Sequence, residues 1–251
     1  MVTSLSIGNG GLGRFGNQLW TIAGVIGIAK RNNTSFAFPK WINRDNALFG
    51  DFADTMDRFF VNNLPILPDG RYINSYGYFW GYKDVDLPNG DWNIDAHLQS
   101  PKFFEHCMDE IRHYFTMVNE PKQNNFCAIH VRAGDYVDDP NAYHPRCSEE
   151  YYKEAIKLMP ADTQYIVFSD DLEFAKKRVG IEALCLSGNY IDDFRLMKRC
   201  KHFIIANSSF SAMAALLADH PDKKVVAPSK WFGPQVEISA KDIYHQNWII
   251  I

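Results

Sequence analysis

No stretch of this chain carries the roughly 20 consecutive apolar residues that a bilayer-spanning helix needs, so its 251 residues are expected to contain no membrane span. Positive charge is also scarce. The 26 Lys and Arg are outnumbered by 30 Asp and Glu, leaving a formal charge of −4, which is the wrong sign for attraction to a nucleic-acid backbone. There are only five cysteines (Cys107, Cys127, Cys147, Cys185 and Cys200). Their odd number and irregular spacing give neither a complete disulfide framework nor a CxxC metal pattern, so a reducing compartment, the cytoplasm, is expected. HExxH, a GxSxG elbow and paired-cysteine zinc spacing are missing as well. No zinc-site motif and no nucleophile elbow is thus available to the chain. The opening Met-Val-Thr-Ser-Leu-Ser-Ile has no basic or long apolar leader segment, and no signal peptide is expected.

What is present is the composition of a globular protein: 46% hydrophobic and 22% charged residues, with no low-complexity segment. The first unit reads as a strand over Val2 to Ile7, a glycine-rich loop, and a helix from about Gly16 to Lys30 with Leu19, Ile22, Ala23 and Ile26 on one stripe. Residues 34–95 are rich in aromatics and broken by Pro, Gly and Asn, and no strand can be assigned there. A helix is expected after Pro101, carrying Phe104, Met108, Ile111 and Phe115, followed by the polar run Asn119 to Asn125. That run divides the chain into expected domains 1–120 and 121–251.

Beyond it strands and helices alternate regularly. Strands are expected at Phe126 to Arg132, Tyr165 to Ser169, Ala183 to Leu186, Phe203 to Ala206 and Lys224 to Ala227. Helices are expected near Glu149 to Met159, Leu172 to Val179, Ile191 to Cys200 and Ser209 to Asp219. This alternation predicts an α/β fold with a parallel sheet covered on both faces. Ligands in such sheets bind beyond the carboxyl ends of the strands, where the polar motifs fall.

Each motif supports two readings. His130 and Arg132 share a face of their strand, and Arg132 can offer its donor fork to a phosphate or close a loop as an ion pair with Asp135. Asn207, Ser208, Ser209 and Phe210 lead into a helix. Its free N–H groups attract an anion, although a serine there can also be an N-cap. Asp170 and Asp171 can orient a ribose or the Arg132 loop, or cap the next helix. Asp193 can accept from a guanine edge, or stabilise a helix start as a first-turn acid. The Asn207-Ser208-Ser209 sequon is expected to be too buried for glycosylation. Asp84-Val85-Asp86 reads either as a metal-chelating pair or as a solvated turn. His97 and His144 are isolated and expected to be packed or at the surface. The loop from Gly8 to Gln18 contains GxGxxG, the sign of an NAD(P)- or FAD-dependent oxidoreductase. That fingerprint needs an acid at the end of the second strand, and Ser35 to Trp41 supplies none.

Four elements together resemble one family: Gly13-Arg-Phe-Gly-Asn-Gln18, His130-Val-Arg-Ala-Gly-Asp-Tyr136, Phe168-Ser-Asp-Asp171 and Ala206-Asn-Ser-Ser-Phe-Ser211. They occur in the order seen in glycosyltransferase family 11, the α-1,2-fucosyltransferases, and Gln99-Ser-Pro-Lys-Phe-Phe104 is a further local match. The HxRxGD and Ser-Ser-Phe elements are more distantly similar to protein O-fucosyltransferases and α-1,6-fucosyltransferases. The resemblance implies a GT-B fold of two Rossmann-like domains facing a cleft. It also implies inverting transfer of L-fucose from GDP-fucose to a glycan acceptor, with no metal and no cofactor. Position by position, Arg132 would hold the β-phosphate and Ser208 and Ser209 the phosphates. Phe210 would pack on guanine, with Asp193 and the His130 backbone reading its edge. Arg14 and Asn17 would reach the fucose and diphosphate from the N-terminal domain. The sequence departs from the family at Ala133, where a second arginine is common, and at Ala212 and Met213, where tryptophans are. A carbohydrate-binding protein that has lost turnover is the non-enzyme alternative.

Overall fold

Residues 1–9, 12–42 and 56–251 are described by the computed structural model of the chain. Gly10 and Gly11, in the middle of the glycine-rich loop, lie outside the described residues. The chain divides into two compact units, Met1–Asn119 with Lys241–Ile243, and Glu120–Ala240 with Tyr244–Ile251.

In the first unit β1 is Val2–Thr3, α1 Phe15–Arg31, β2 Asn74–Ser75, β3 Trp92–Asn93 and α2 Met108–Tyr114. The three strands pair in parallel in the order β1-β3-β2, with Val2 and Asn74 both opposite Trp92. The first strand is shorter than its apolar pattern predicts. Asp95 accepts from the Ser4 hydroxyl at 2.8 Å and the Ser6 N–H at 3.1 Å, pulling the chain into a 3-10 turn over Leu5–Asn9. That turn separates β1 from the glycine-rich loop. α1 is buried on nearly every side rather than along one stripe, the pattern of a central helix. Its one interior amide, Gln18, accepts from Trp41 Nε1 at 2.7 Å and donates to the Gly13 carbonyl at 3.2 Å. The helix expected after Pro101 is broken into the 3-10 turns Pro101–Phe103 and Glu105–Cys107 before α2 begins. Phe103 and Phe104 are both fully buried. Adjacent positions on a helix lie about 100° apart, and the chain leaves helical geometry at Phe104, with φ −135° and ψ −3°.

The second unit contains β4 Cys127–Val131, α3 Glu149–Lys157, β5 Tyr165–Ser169, α4 Leu172–Val179 and β6 Leu184–Leu186. It continues with α5 Tyr190–Met197, β7 His202–Ile204, α6 Ser209–Leu217, β8 Val225–Ala227 and β9 Ile249–Ile250. All six strands pair in parallel in the order β6-β5-β4-β7-β8-β9. Strand periodicity divides β4 between two layers. Cys127, Ile129 and Val131 join Tyr151, Tyr152 and Ala155 of α3 and Ala175 and Val179 of α4 in one core, while His130 points toward α6. No helix among the described residues is long and apolar enough to cross a membrane.

Candidate active site

The strand order places a topological switch point in the second unit. From β4 the chain builds outward through β5 and β6, then returns to add β7 on the other side of β4. The loops leaving β4 and β7 therefore flank the switch point, the crevice position where open parallel sheets take ligands. Residues 132–136 leave one of these strands and residues 207–210 the other.

Arg132 is the first residue beyond β4. Its guanidinium donates to Asp170, at the end of β5, and to Asp135 at 2.5 Å. The ion-pair reading of Arg132 and Asp135 therefore holds in the structure. An arginine has five N–H donors, more than these two bonds use. Asp170 organises the loop with both oxygens, because its Oδ1 accepts from the Ala133 N–H at 2.8 Å. Gly134 permits this approach, since a Cβ there would lie 2.5 Å from Asp170 Oδ2. The Ala133 carbonyl accepts from Arg146 Nε at 3.2 Å and from its terminal nitrogen at 3.1 Å. The loop is thus braced from two sides.

The two loops are bonded to each other. Tyr136 donates its hydroxyl to the Asn207 carbonyl at 2.9 Å, and His130 Nδ1 and Ser211 Oγ lie 2.9 Å apart. The His130 ring also faces Phe210 at 5.6 Å, and Phe210 meets Phe194 of α5 edge-on at 5.2 Å. His130 is 7% exposed. Burial first, and then the neighbouring Arg132 charge, hold its pKa down to about 3, so it stays neutral and serves as packing and as a hydrogen-bond partner. Its carbonyl accepts from the Tyr152 hydroxyl at 3.0 Å.

Asn207 is 1% exposed and faces inward, which accounts for its unsuitability as a glycosylation acceptor. Its amide donates to the carbonyls of Pro145 and Trp231, both at 3.0 Å, and its Oδ1 faces Cys147 Sγ at 3.5 Å. Its side chain is a clamp between loops, not a donor aimed into the crevice. Ser208 is the residue before α6, yet its side chain makes no capping bond. The first-turn N–H groups of a helix have no intrahelical acceptor. Together with the positive end of the helix dipole they form an anion seat, beside which Ser209 and Phe210 are half-buried.

Asp171 takes the plainer of its two roles: it caps α4, accepting from the Phe174 N–H at 3.0 Å. Asp193 accepts from the Gly188 N–H at 3.3 Å, and burial raises its pKa. In the first unit, exposed Arg14 is the extended residue before α1. Asn17 Oδ1 accepts from Gln99 at 2.8 Å. Gly13, at φ +94°, adopts a conformation suited to glycine, and a Cβ there would lie 2.2 Å from Asn17 Nδ2. Asp84 accepts from the Tyr82 hydroxyl at 2.7 Å. His144 stacks on Tyr136 at 4.8 Å, packed as expected.

Sequence reasoning missed Tyr136 and Ser211 as site residues, although both lie within the motifs. The available signal was His130 itself, because a polar side chain on a central strand needs a partner. What the crevice offers chemically is a fixed guanidinium and a helix start on loops bonded to each other, an arrangement suited to a phosphate group.

Residues 94–251 match glycosyl transferase family 11. Among curated proteins, the chain is 30% identical over 175 residues to an Escherichia coli alpha-1,2-colitosyltransferase, covering 61% of this chain and 60% of that one. It is 35% identical over 191 residues to the O-antigen biosynthesis glycosyltransferase WbnK of Escherichia coli, covering 69% of this chain and 59% of that one. The chain thus spans about 60% of the length of these relatives. Among solved structures, the NodZ alpha-1,6-fucosyltransferase soaked with GDP-fucose is similar at a TM-score of 0.51 and 14% identity, covering 86% of this chain and 92% of that one.

Proposed function

From the premise that the chain belongs to glycosyl transferase family 11, we propose that it transfers L-fucose from GDP-fucose to a glycan hydroxyl, O2 of a galactose. The observation that carries this reading is the pairing of Arg132 with the start of α6 at the switch point, on loops joined by the Tyr136–Asn207 and His130–Ser211 bonds. The alpha-1,2-colitosyltransferase among the relatives supports a 1,2 linkage, and the GDP-fucose soaked into the NodZ structure supports a GDP-sugar donor.

In this reading the two units form a GT-B arrangement, with residues 121–251 binding the nucleotide sugar and residues 1–120 the acceptor. The acceptor oxygen bonds to the anomeric carbon as its proton passes to water, and the bond from that carbon to the β-phosphate oxygen breaks. Attack from the opposite face inverts the centre. The departing electron pair settles on the diphosphate, where Arg132, the α6 amides, Ser208 and Ser209 receive it. One preorganised donor of this kind is worth roughly 2.7–4 kcal/mol. Because the protein supplies this positive charge itself, no metal is needed. Asp135 and Asp170 hold Arg132, Phe210 and Asp193 take the guanine, and Arg14 and Asn17 contact the donor from the first unit. Five free thiols suit a reducing compartment such as the cytoplasm.

The test is transfer from GDP-fucose to a panel of galactosides in the presence of EDTA, with product linkage and anomeric configuration read by NMR. Turnover in EDTA to an α-1,2 product is expected, and Arg132→Ala is expected to abolish it while the protein stays folded. Retained turnover in that variant, or strict dependence on added metal, would overturn the mechanism. Transfer from a colitosyl donor but not from GDP-fucose would move the reading to the sugar of the Escherichia coli relative.

A further inference from the structure

Ala133, the residue that follows Arg132, has both of its backbone polar groups held by charged side chains. Its N–H donates to Asp170, and its carbonyl accepts from Nε and a terminal nitrogen of Arg146 together. Two donors on one edge of a planar guanidinium fix direction as well as distance. A lysine ammonium, a point charge on a flexible stem, cannot reproduce that pair.

Arg146 is held in its turn. Its backbone N–H donates to the Val137 carbonyl at 2.9 Å, and Val137 forms a parallel bridge with Pro145, which seats Arg146 beside the loop. Its other terminal nitrogen donates to Asp138 at 3.2 Å, and the second oxygen of Asp138 accepts from Arg178 at 2.5 Å. One carboxylate thus bridges two guanidiniums. Phe174 and Arg178 stand four apart on α4 and share a face, and the guanidinium carbons of Arg146 and Arg178 both lie 4.5 Å from the centroid of the Phe174 ring. An aromatic face attracts cations at that distance. Phe174 gives its own N–H to Asp171, the cap of α4 and the neighbour of Asp170.

Bulk stability does not explain this chain of contacts. Asp138, Arg146 and Arg178 line a cavity of about 540 Å3, and the Asp138 side chain is 50% exposed. Ion pairs with an exposed partner contribute little to stability. What they supply here is orientation, carried from α4 through Asp138 and Arg146 to the residue after Arg132. A preorganised charge loses much of its value when its aim shifts. Building on the transferase reading, we propose that Arg146 is a positioning residue for the transfer, supported by Asp138 and Arg178, and that it aims the Arg132 guanidinium at the departing β-phosphate by fixing the Ala133 carbonyl.

The test uses the full chain with Arg146→Lys, which keeps the charge and loses the paired donors, and with Arg178→Met, which removes the far support. Urea unfolding checks that each variant folds, and Arg178→Met decides the question if Arg146→Lys does not. The β-phosphate oxygen served by Arg132 is charged in GDP and in the transition state, but is a neutral ester oxygen in GDP-fucose. Arg146→Lys should therefore lower kcat, and GDP affinity by calorimetry, each roughly tenfold, and Arg178→Met should lower both several-fold, while KM for GDP-fucose changes less than about threefold. In an Arg132→Ala background the same substitutions should leave GDP affinity unchanged, because no guanidinium is left to aim. Equal losses of GDP affinity with and without Arg132, or wild-type kcat and GDP affinity in both variants, would overturn the proposal. If the wild type binds GDP but transfers no fucose, the transferase reading falls by itself, and the comparison of the two backgrounds still decides the role of Arg146. A wild type that binds no GDP overturns both.

Discussion

Acid should act on the second unit through His130. The native side chain is 7% exposed and has a pKa of about 3, whereas a histidine in an unfolded chain titrates near 6.5. Below about pH 6.5 the unfolded chain binds a proton that the native state refuses, so stability falls with pH. The loss ends near pH 3, where both states are protonated. Each pH unit in this window costs about 1.4 kcal/mol, which gives about 3 kcal/mol at pH 4.5 and about 5 kcal/mol over the whole window. His130→Asn keeps a polar atom for Ser211 but does not titrate. Urea unfolding followed by circular dichroism at pH 7.0, 5.5 and 4.5 separates the effects. The variant should be less stable at pH 7, yet lose about 3 kcal/mol less than wild type between pH 7 and 4.5. Carboxylates contribute equally to both proteins and cancel. Identical acid losses would mean that His130 accepts a proton in the folded protein, and the burial argument would fail.

Three other perturbations separate structural from ligand-binding roles. Asn207→Ala strands the Pro145 and Trp231 carbonyls and should cost roughly 2–6 kcal/mol in urea unfolding, at about 1–3 kcal/mol per unpaired buried group. Ser208→Ala removes a hydroxyl that makes no capping bond; stability should change by less than about 0.5 kcal/mol, while GDP affinity by calorimetry falls about tenfold through the lost charge-assisted bond. A true cap would show the reverse, which Asp171→Ala should display, losing about 1 kcal/mol of stability with GDP affinity unchanged. Asp170→Asn should lower both stability and GDP affinity in the same two assays, because Asp170 orients Arg132 and the Ala133 N–H.

The second unit was far more legible than the first. Its strands are uninterrupted apolar runs, its helices carry their own caps in Ser148, Asp171 and Asn189, and observed bounds fall within a few residues of those expected. In the first unit, strands of two residues and 3-10 turns are too short to build a period. The chain there is shaped instead by side chains distant in sequence, such as Asp95 capturing Ser4 and Ser6.

By itself the sequence determined the alternating α/β order, the position of Arg132 at a strand end, and the serines at a helix start, because strand and helix periods and helix caps are local properties of the chain. Tertiary structure alone decided that β7 lies beside β4, that Asp170 holds Arg132, and that Asn207 faces inward. Each of these depends on groups far apart in sequence, 38 residues for Arg132 and Asp170 and 62 for Asn207 and Pro145, and pairings at that range are chosen by packing and by the satisfaction of buried polar groups, which no local pattern encodes.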